Sequence, residues 1–341
     1  MNTDKKQFNY SSYNVMDANK TYFYVILMNI LAPLALYALL LVLFPIGKAV
    51  SDGVYNIIYA LILSLIIPIL YSIVIIVYHK KRKIDAKKAL KVDFKLSPLL
   101  ILLIIAIAVV CVVCFFPLIN MLYAVVEKIG FNVSGSVAFE MTNWWRLIIG
   151  AVIYCLVPAI VEEILFRGMI LKGLQERAKP YVAILLSAAA FFLMHGSIQQ
   201  TFYQFLLGVI LSLLGYYCNN IVYPIIFHFL NNLFVILLAY FNIGGYLNGF
   251  SLSVGGFFAG VGLFVLGSAA IVGIFLLIRL LTAKNRKKSV ELVVEDNNII
   301  VLEEKQKLNF KDFRKSLILD EKFYFNAAWI IGIIMWIFNS L

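Results

Sequence analysis

Apolar residues in this chain fall in long unbroken runs, separated by short polar stretches, rather than in alternating or narrow amphipathic patterns. The runs predict helices at about 22–46, 54–78, 97–124, 147–170, 181–196, 202–218, 221–241, 254–282 and 323–341. A membrane crossing takes about 20 such residues. The run at 181–196 is short for a span, and 323–341 either crosses or lies at the interface. The fold class is therefore all-α, a polytopic transmembrane helical bundle of about eight to nine spans. A polar segment, 1–21, precedes a transmembrane domain at 22–282, followed by a linker at 283–322 and the final helix at 323–341. In the linker, Val290–Val294 and Ile299–Leu302 flank Glu295–Asn298 and predict a small hairpin, too short to be a domain. The polar start predicts that no cleavable signal precedes the first span.

Composition strengthens this picture. Of 341 residues, 63% are hydrophobic and 14% charged, against about 25% charged in soluble domains. The net charge of +11 sits in short loops. Residues 1–21, 79–96, 171–180 and 283–322 carry 24 Lys and Arg, while the opposite side holds only Lys48, Lys128 and Arg146. That asymmetry predicts a multi-pass cell-membrane protein with its N-terminus and basic loops in the cytoplasm. The most basic loop, His79–Lys95, reads as a topology anchor, with an anionic-lipid site as the sharper alternative. His79 itself is expected to be solvated. Basic residues do not interleave with aromatic ones, so the partner surface is the bilayer and not nucleic acid. Cys111 and Cys114, like Cys155 and Cys218, lie in or at the ends of apolar runs and read as packing, with no disulfide framework implied.

Ionisable side chains inside a membrane are costly, and each one is a candidate for function. Six fall within the predicted spans. Arg279 is placed within a turn of a helix end, where it can snorkel. The other five are Glu162, Glu163, Arg167, His195 and His228. Glu163 and Arg167 are four apart, share a helix face and are expected to pair, leaving Glu162 free. His228 and Asn232 share a face of another helix, and His195 follows Phe191 by four on a third. Counted from the predicted cytoplasmic helix ends near 171, 180 and 220 at 1.5 Å per residue, Glu162 lies about 13 Å deep, His195 about 22 Å, His228 about 12 Å and Asn232 about 18 Å. Four polar residues from three helices thus share one layer. A carboxylate in an apolar pocket suits general-base work. One histidine can help hold and deprotonate a water, and the other, with an asparagine amide, offers two donors to a developing oxyanion.

In this order, Glu162-Glu163-Ile-Leu-Phe-Arg167 (EExxxR), Phe191-Phe-Leu-Met-His195 (FxxxH) and His228-Phe-Leu-Asn-Asn232 (HxxxN) resemble the type II CAAX prenyl endopeptidase family. That family belongs to the wider clan of CAAX proteases and bacteriocin-processing enzymes. The resemblance covers about 145–235. It implies a helical intramembrane protease core with a cavity open to the cytoplasm and lateral access from lipid. It further implies Glu162 as the base activating water, His195 assisting, His228 and Asn232 at the oxyanion, and Glu163 with Arg167 orienting the site. The family has been described both as metalloproteases and as metal-free glutamate-type enzymes. No cofactor is the first expectation, with zinc on Glu162, His195 and His228 as the alternative; the span contains no HExxH pair.

The expected function is therefore an intramembrane endopeptidase acting on a membrane-associated peptide or protein, of the prenylated or leader-peptide type. A catalytically inactive immunity or scaffold protein of the same fold is the first alternative, since relatives include proteins tied to bacteriocin immunity. A transporter is the second. Transporters usually spread their acids over several helices, whereas Glu162 and Glu163 are neighbours on one.

Overall fold

The computed structural model describes residues 13–43, 52–131, 143–241, 243, 254–286, 292–295, 298–301 and 307–340. Its long helices are α1 (Val15–Leu43), α2 (Asp52–Arg82), α4 (Pro98–Lys128), α5 (Trp144–Leu174), α7 (Ile198–Cys218), α8 (Val222–Tyr240), α9 (Val254–Arg286) and α11 (Leu319–Ser340). All eight are long and apolar enough to cross a membrane. The shorter α6 (Pro180–His195), α3 (Ala86–Leu90) and α10 (Phe310–Ser316) complete the helices among the described residues. The chain is thus an all-α polytopic bundle. A small hairpin, Leu292–Glu295 paired antiparallel with Asn298–Val301, is appended between α9 and α10.

The helices are apolar all round, so burial divides their faces where hydropathy does not. On α4, Ile104, Ile107, Ala108 and Cys111 are buried, while Leu102, Ile105, Val109 and Val113 are exposed. The inward set follows the i, i+3, i+4, i+7 rule, and the outward set is the apolar surface a bilayer would cover. Cys114, at the edge of this face, packs on Gly267 of α9, where a Cβ would fall 2.5 Å from the cysteine Cβ. All four cysteines are free thiols.

Helix α6 begins on Pro180, whose missing N–H costs nothing in a first turn. It ends at Gly196, which adopts φ +66° and returns its N–H to Leu193. At 16 residues it is about 24 Å long, and it packs along α7 as a hairpin. The close approach comes from Gly208: a Cβ there would stand 2.9 Å from the Cα of Ala188. Backbone cannot give way as a flexible side chain can. Gly208→Ala is therefore expected to destabilise the protein by about 1–3 kcal/mol through overpacking. Gly273→Ala, which meets nothing within 4 Å, should be neutral or slightly stabilising. Thermal unfolding in detergent compares the two, and equal shifts would remove the steric argument.

Two expectations change. Helix α2 runs on to Arg82, so His79 is helical and only 8% exposed rather than solvated in a loop. Its Nδ1 lies 2.7 Å from the Ile75 carbonyl, which can only accept, and Tyr13 donates its hydroxyl to Nε2 at 2.6 Å. Tyr13, just ahead of α1, thus lies against this end, and Asp17 of α1 accepts from Tyr78 at 2.6 Å and pairs with Arg82. Arg279 lies about two turns from the end of its helix rather than within one, because α9 continues to Arg286.

Helix α11 packs along α1 and touches α6 and α7. Trp336 donates to Thr201 of α7 at 2.6 Å, and Gly332 sits against Tyr22 of α1. Its start is tied to the α5–α6 turn by the Arg177–Glu321 ion pair, with Glu321 buried. Lys179 and Leu308 add reciprocal backbone bonds beside it, Lys179 N–H to Leu308 O at 2.8 Å and Leu308 N–H to Arg177 O at 2.7 Å. The final helix is therefore a wall of the bundle.

Candidate active site

Helix α5 carries both glutamates between two π-helical turns, Ala151–Leu156 and Ile164–Ile170. Such turns insert an extra residue and gather at functional sites. The first has a visible cause. Pro158 has no N–H to offer the carbonyl of Tyr154, four residues earlier. Asn232 of α8 donates its Nδ2 to that carbonyl at 3.4 Å. Asn232 is thereby joined to the helix that carries the acids.

Glu163 and Arg167 form the pair their spacing predicts, Nη1 to Oε1 at 2.8 Å, with both side chains fully buried. Arg167 also donates Nη2 to the Gly208 carbonyl at 3.2 Å and lies 4.4 Å from the centre of the Phe191 ring. The guanidinium is thus held by a carboxylate, a carbonyl and an aromatic face, which is how a charge tolerates burial.

His228 links the two glutamates. Its Nδ1 lies 2.9 Å from Glu163 Oε1, and its Nε2 lies 4.0 Å from Glu162 Oε2. The Glu162 side chain is 15% exposed, and its Oε2 makes no hydrogen bond within the protein. At 4.0 Å there is no direct bond, so Glu162 Oε2 faces His228 Nε2 as a buried acceptor without a hydrogen-bond partner among the described residues.

His195 joins this cluster through an aromatic ring. Its Nδ1 lies 2.9 Å from the Phe191 carbonyl, which assigns the proton to Nδ1 and leaves Nε2 as an acceptor. The Phe191 ring stands edge-on to His195 at 4.8 Å, to His228 at 5.8 Å and to Phe166 at 5.2 Å. The structure therefore brings Glu162, Glu163, Arg167 and His228 into one polar cluster. It sets His195 against the Phe191 ring and ties Asn232 to the Tyr154 carbonyl.

Sequence reasoning did not find several supports. Phe191 figures there only as a motif letter, although it touches three of the site side chains. Tyr71 of α2 is buried, lies near enough to Glu162 to feel its charge, and donates to Asn29 at 2.5 Å. Asn29 in turn donates to the carbonyl of Met194, next to His195, at 2.9 Å. A tyrosine and an asparagine inside apolar runs are the only sequence signals for that chain of bonds.

A zinc on Glu162, His195 and His228 would need their ligand atoms close together. Two ligand atoms on one zinc, each about 2 Å away, lie roughly 3–3.5 Å apart. His228 Nε2 and Glu162 Oε2 are 4.0 Å apart, wider than that. Among the described residues no three His, Cys, Asp or Glu side chains gather to hold a metal.

Residues 143–234 match the family model described as Type II CAAX prenyl endopeptidase Rce1-like. No curated protein and no solved structure matches the chain. The Rce1-like segment runs from the residue before α5 into α8 and holds all six candidate residues. At the coarse level, the chain is similar to a CAAX-type membrane protease. With eight long apolar helices, it is a multi-pass membrane protein.

Proposed function

We propose that the chain is an intramembrane endopeptidase that uses Glu162 to activate water against a peptide bond. The observation that carries this is His228, bonded to Glu163 through one nitrogen and facing Glu162 across 4.0 Å with the other. Counting charge supports it. Glu162, Glu163 and Arg167 sum to −1, and a single added proton, on Glu162 or on His228, brings the cluster to zero. Neutrality is what a low-dielectric site demands. With that proton on His228 Nε2, Glu162 is a carboxylate and His228 is a donor, the pairing that water attack needs.

The steps follow. The water oxygen attacks the carbonyl carbon while Glu162 takes its proton. The carbonyl oxygen becomes an oxyanion, which accepts from His228 Nε2–H and the Asn232 amide. His195 Nε2 accepts from the same water and orients it. When the C–N bond breaks, Glu162 passes its proton to the leaving amine. Glu163 and Arg167 hold His228 in position. The substrate is a membrane-associated peptide, either a prenylated-type tail or a leader, entering from the cytoplasmic face where the basic loops lie. No resident metal is required.

The test is cleavage by the purified chain, reconstituted in liposomes, of membrane-tethered peptides of both types, with products identified by mass spectrometry. Cleavage that survives dialysis against a chelator within about twofold is the expected result. Loss of cleavage restored by stoichiometric zinc would overturn the metal-free reading. No turnover of either peptide type by folded protein would favour an inactive scaffold or immunity role instead.

A further inference from the structure

A chamber lies apart from the glutamates, on the face that carries the basic loop. It has a volume of about 500 Å³ and is bounded by the 91–97 segment, the α7–α8 turn and the end of α9. Lys91 and Lys95 line it, together with Ser97, Tyr223 and Thr282. Its floor is fixed by a two-way bond: Asn220 donates to the Asp93 carbonyl at 2.7 Å and accepts from the Asp93 N–H at 3.4 Å. The Asp93 carboxylate, the one acid in the lining, accepts the Lys95 N–H at 2.8 Å.

Tyr217 lines this chamber and also a largely apolar groove of about 330 Å³ between α7 and α9, whose lining includes one charged residue, Arg279. Leu206 lines that groove and a third apolar hollow of about 410 Å³ beyond it. Tyr217, Leu213, Ile210 and Leu206 recur at helical spacing along one face of α7. The opposite face carries Gly208 and Gly215 against Arg167, so the groove and the glutamate cluster stand back to back. From Tyr217 to Leu206 is about 16 Å along the helix, close to the roughly 15 Å of hydrocarbon in one leaflet.

A cationic chamber and a largely apolar trench of leaflet depth, meeting at Tyr217, have the shape and chemistry of one amphiphile. We propose that this groove holds a single anionic phospholipid of the adjacent leaflet, with its headgroup between Lys91 and Lys95 and an acyl chain along α7. The apolar trench alone would accept any lipid tail. Selectivity comes from the two lysines, and depth of attachment comes from the trench.

Native mass spectrometry of the detergent-purified chain, titrated with phosphatidylglycerol, phosphatidylcholine or glycerol phosphate, tests this. Two lysines near a bilayer surface contribute about a 30-fold preference for the anionic lipid. That preference should vanish in Lys91→Gln/Lys95→Gln. It should persist in Lys87→Gln/Lys88→Gln, which removes two exposed lysines of the same loop that do not line the chamber. Glycerol phosphate should fail to compete. Equal loss in both double variants would mean diffuse surface charge and overturn the proposal. So would equal binding of the two lipids, or competition by glycerol phosphate, which would make the chamber a free-anion site.

Discussion

Glu162→Gln is expected to lower peptide cleavage by about 10²–10⁴-fold, the usual cost of losing a general base, while the protein stays folded. The amide keeps the size of the carboxyl and can still accept a hydrogen bond, so packing around α5 changes little. Glu162 makes no hydrogen bond through Oε2 within the protein, so no structural bond at that atom is lost. Glu163 and Arg167 keep their pair. What disappears is the basic oxygen facing His228 Nε2. The variant should elute as the wild type does and unfold within a degree or two of it. Cleavage within about tenfold of wild type would show that some other group takes the proton, and the mechanism above would fall with it.

How much of this could be read in the chain alone depends on the range of each interaction. Hydropathy marks the spans because lipid leaves an isolated segment no alternative to helix. The Glu163–Arg167 pair is legible because four residues make one helical turn, and the two charges meet whatever the rest of the fold does. His228 and Asn232 share a helix for the same reason. Their destinations are another matter. The sequence reading assigns both to one oxyanion site but gives no sign that His228 also sets Nδ1 on Glu163 or that Asn232 also bonds the Tyr154 carbonyl. That carbonyl is accessible only because Pro158 and a π turn interrupt the ladder, and counting at 3.6 residues per turn does not reveal a π turn. His79 illustrates the same limit. Nothing in its basic surroundings signals that Tyr13, sixty-six residues earlier in the chain, closes over it. The Tyr71–Asn29–Met194 chain joins three helices and is likewise a product of tertiary packing.

The arrangement around His228 makes a prediction about non-additivity. His228→Phe keeps a ring of similar shape against Phe191 and removes both nitrogens, so cleavage should fall by about 10²–10³-fold, as when an oxyanion donor is deleted. Glu163→Gln leaves an acceptor for His228 Nδ1 and for Arg167, but a neutral one, so the ring is held less firmly and the cluster gains a positive charge. Its cost should be smaller, about tenfold. If Glu163 acts on the reaction only by holding His228, the double variant Glu163→Gln/His228→Phe should be no slower than His228→Phe alone. Independent roles would multiply instead, making the double variant about tenfold slower still. The cycle is measured as kcat/KM on one peptide in one liposome preparation, alongside the unfolding temperature of each protein. Arg167 sharpens the reading, because Glu163→Gln leaves its guanidinium with the Gly208 carbonyl and the Phe191 ring but no carboxylate. A fall in unfolding temperature shared by both Glu163→Gln variants, without a matching extra loss of rate in the double variant, would assign Glu163 a structural debt to Arg167 and a positioning role through His228. An additive loss of rate would detach His228 from Glu163 and require that Glu163 meet the substrate or its water directly.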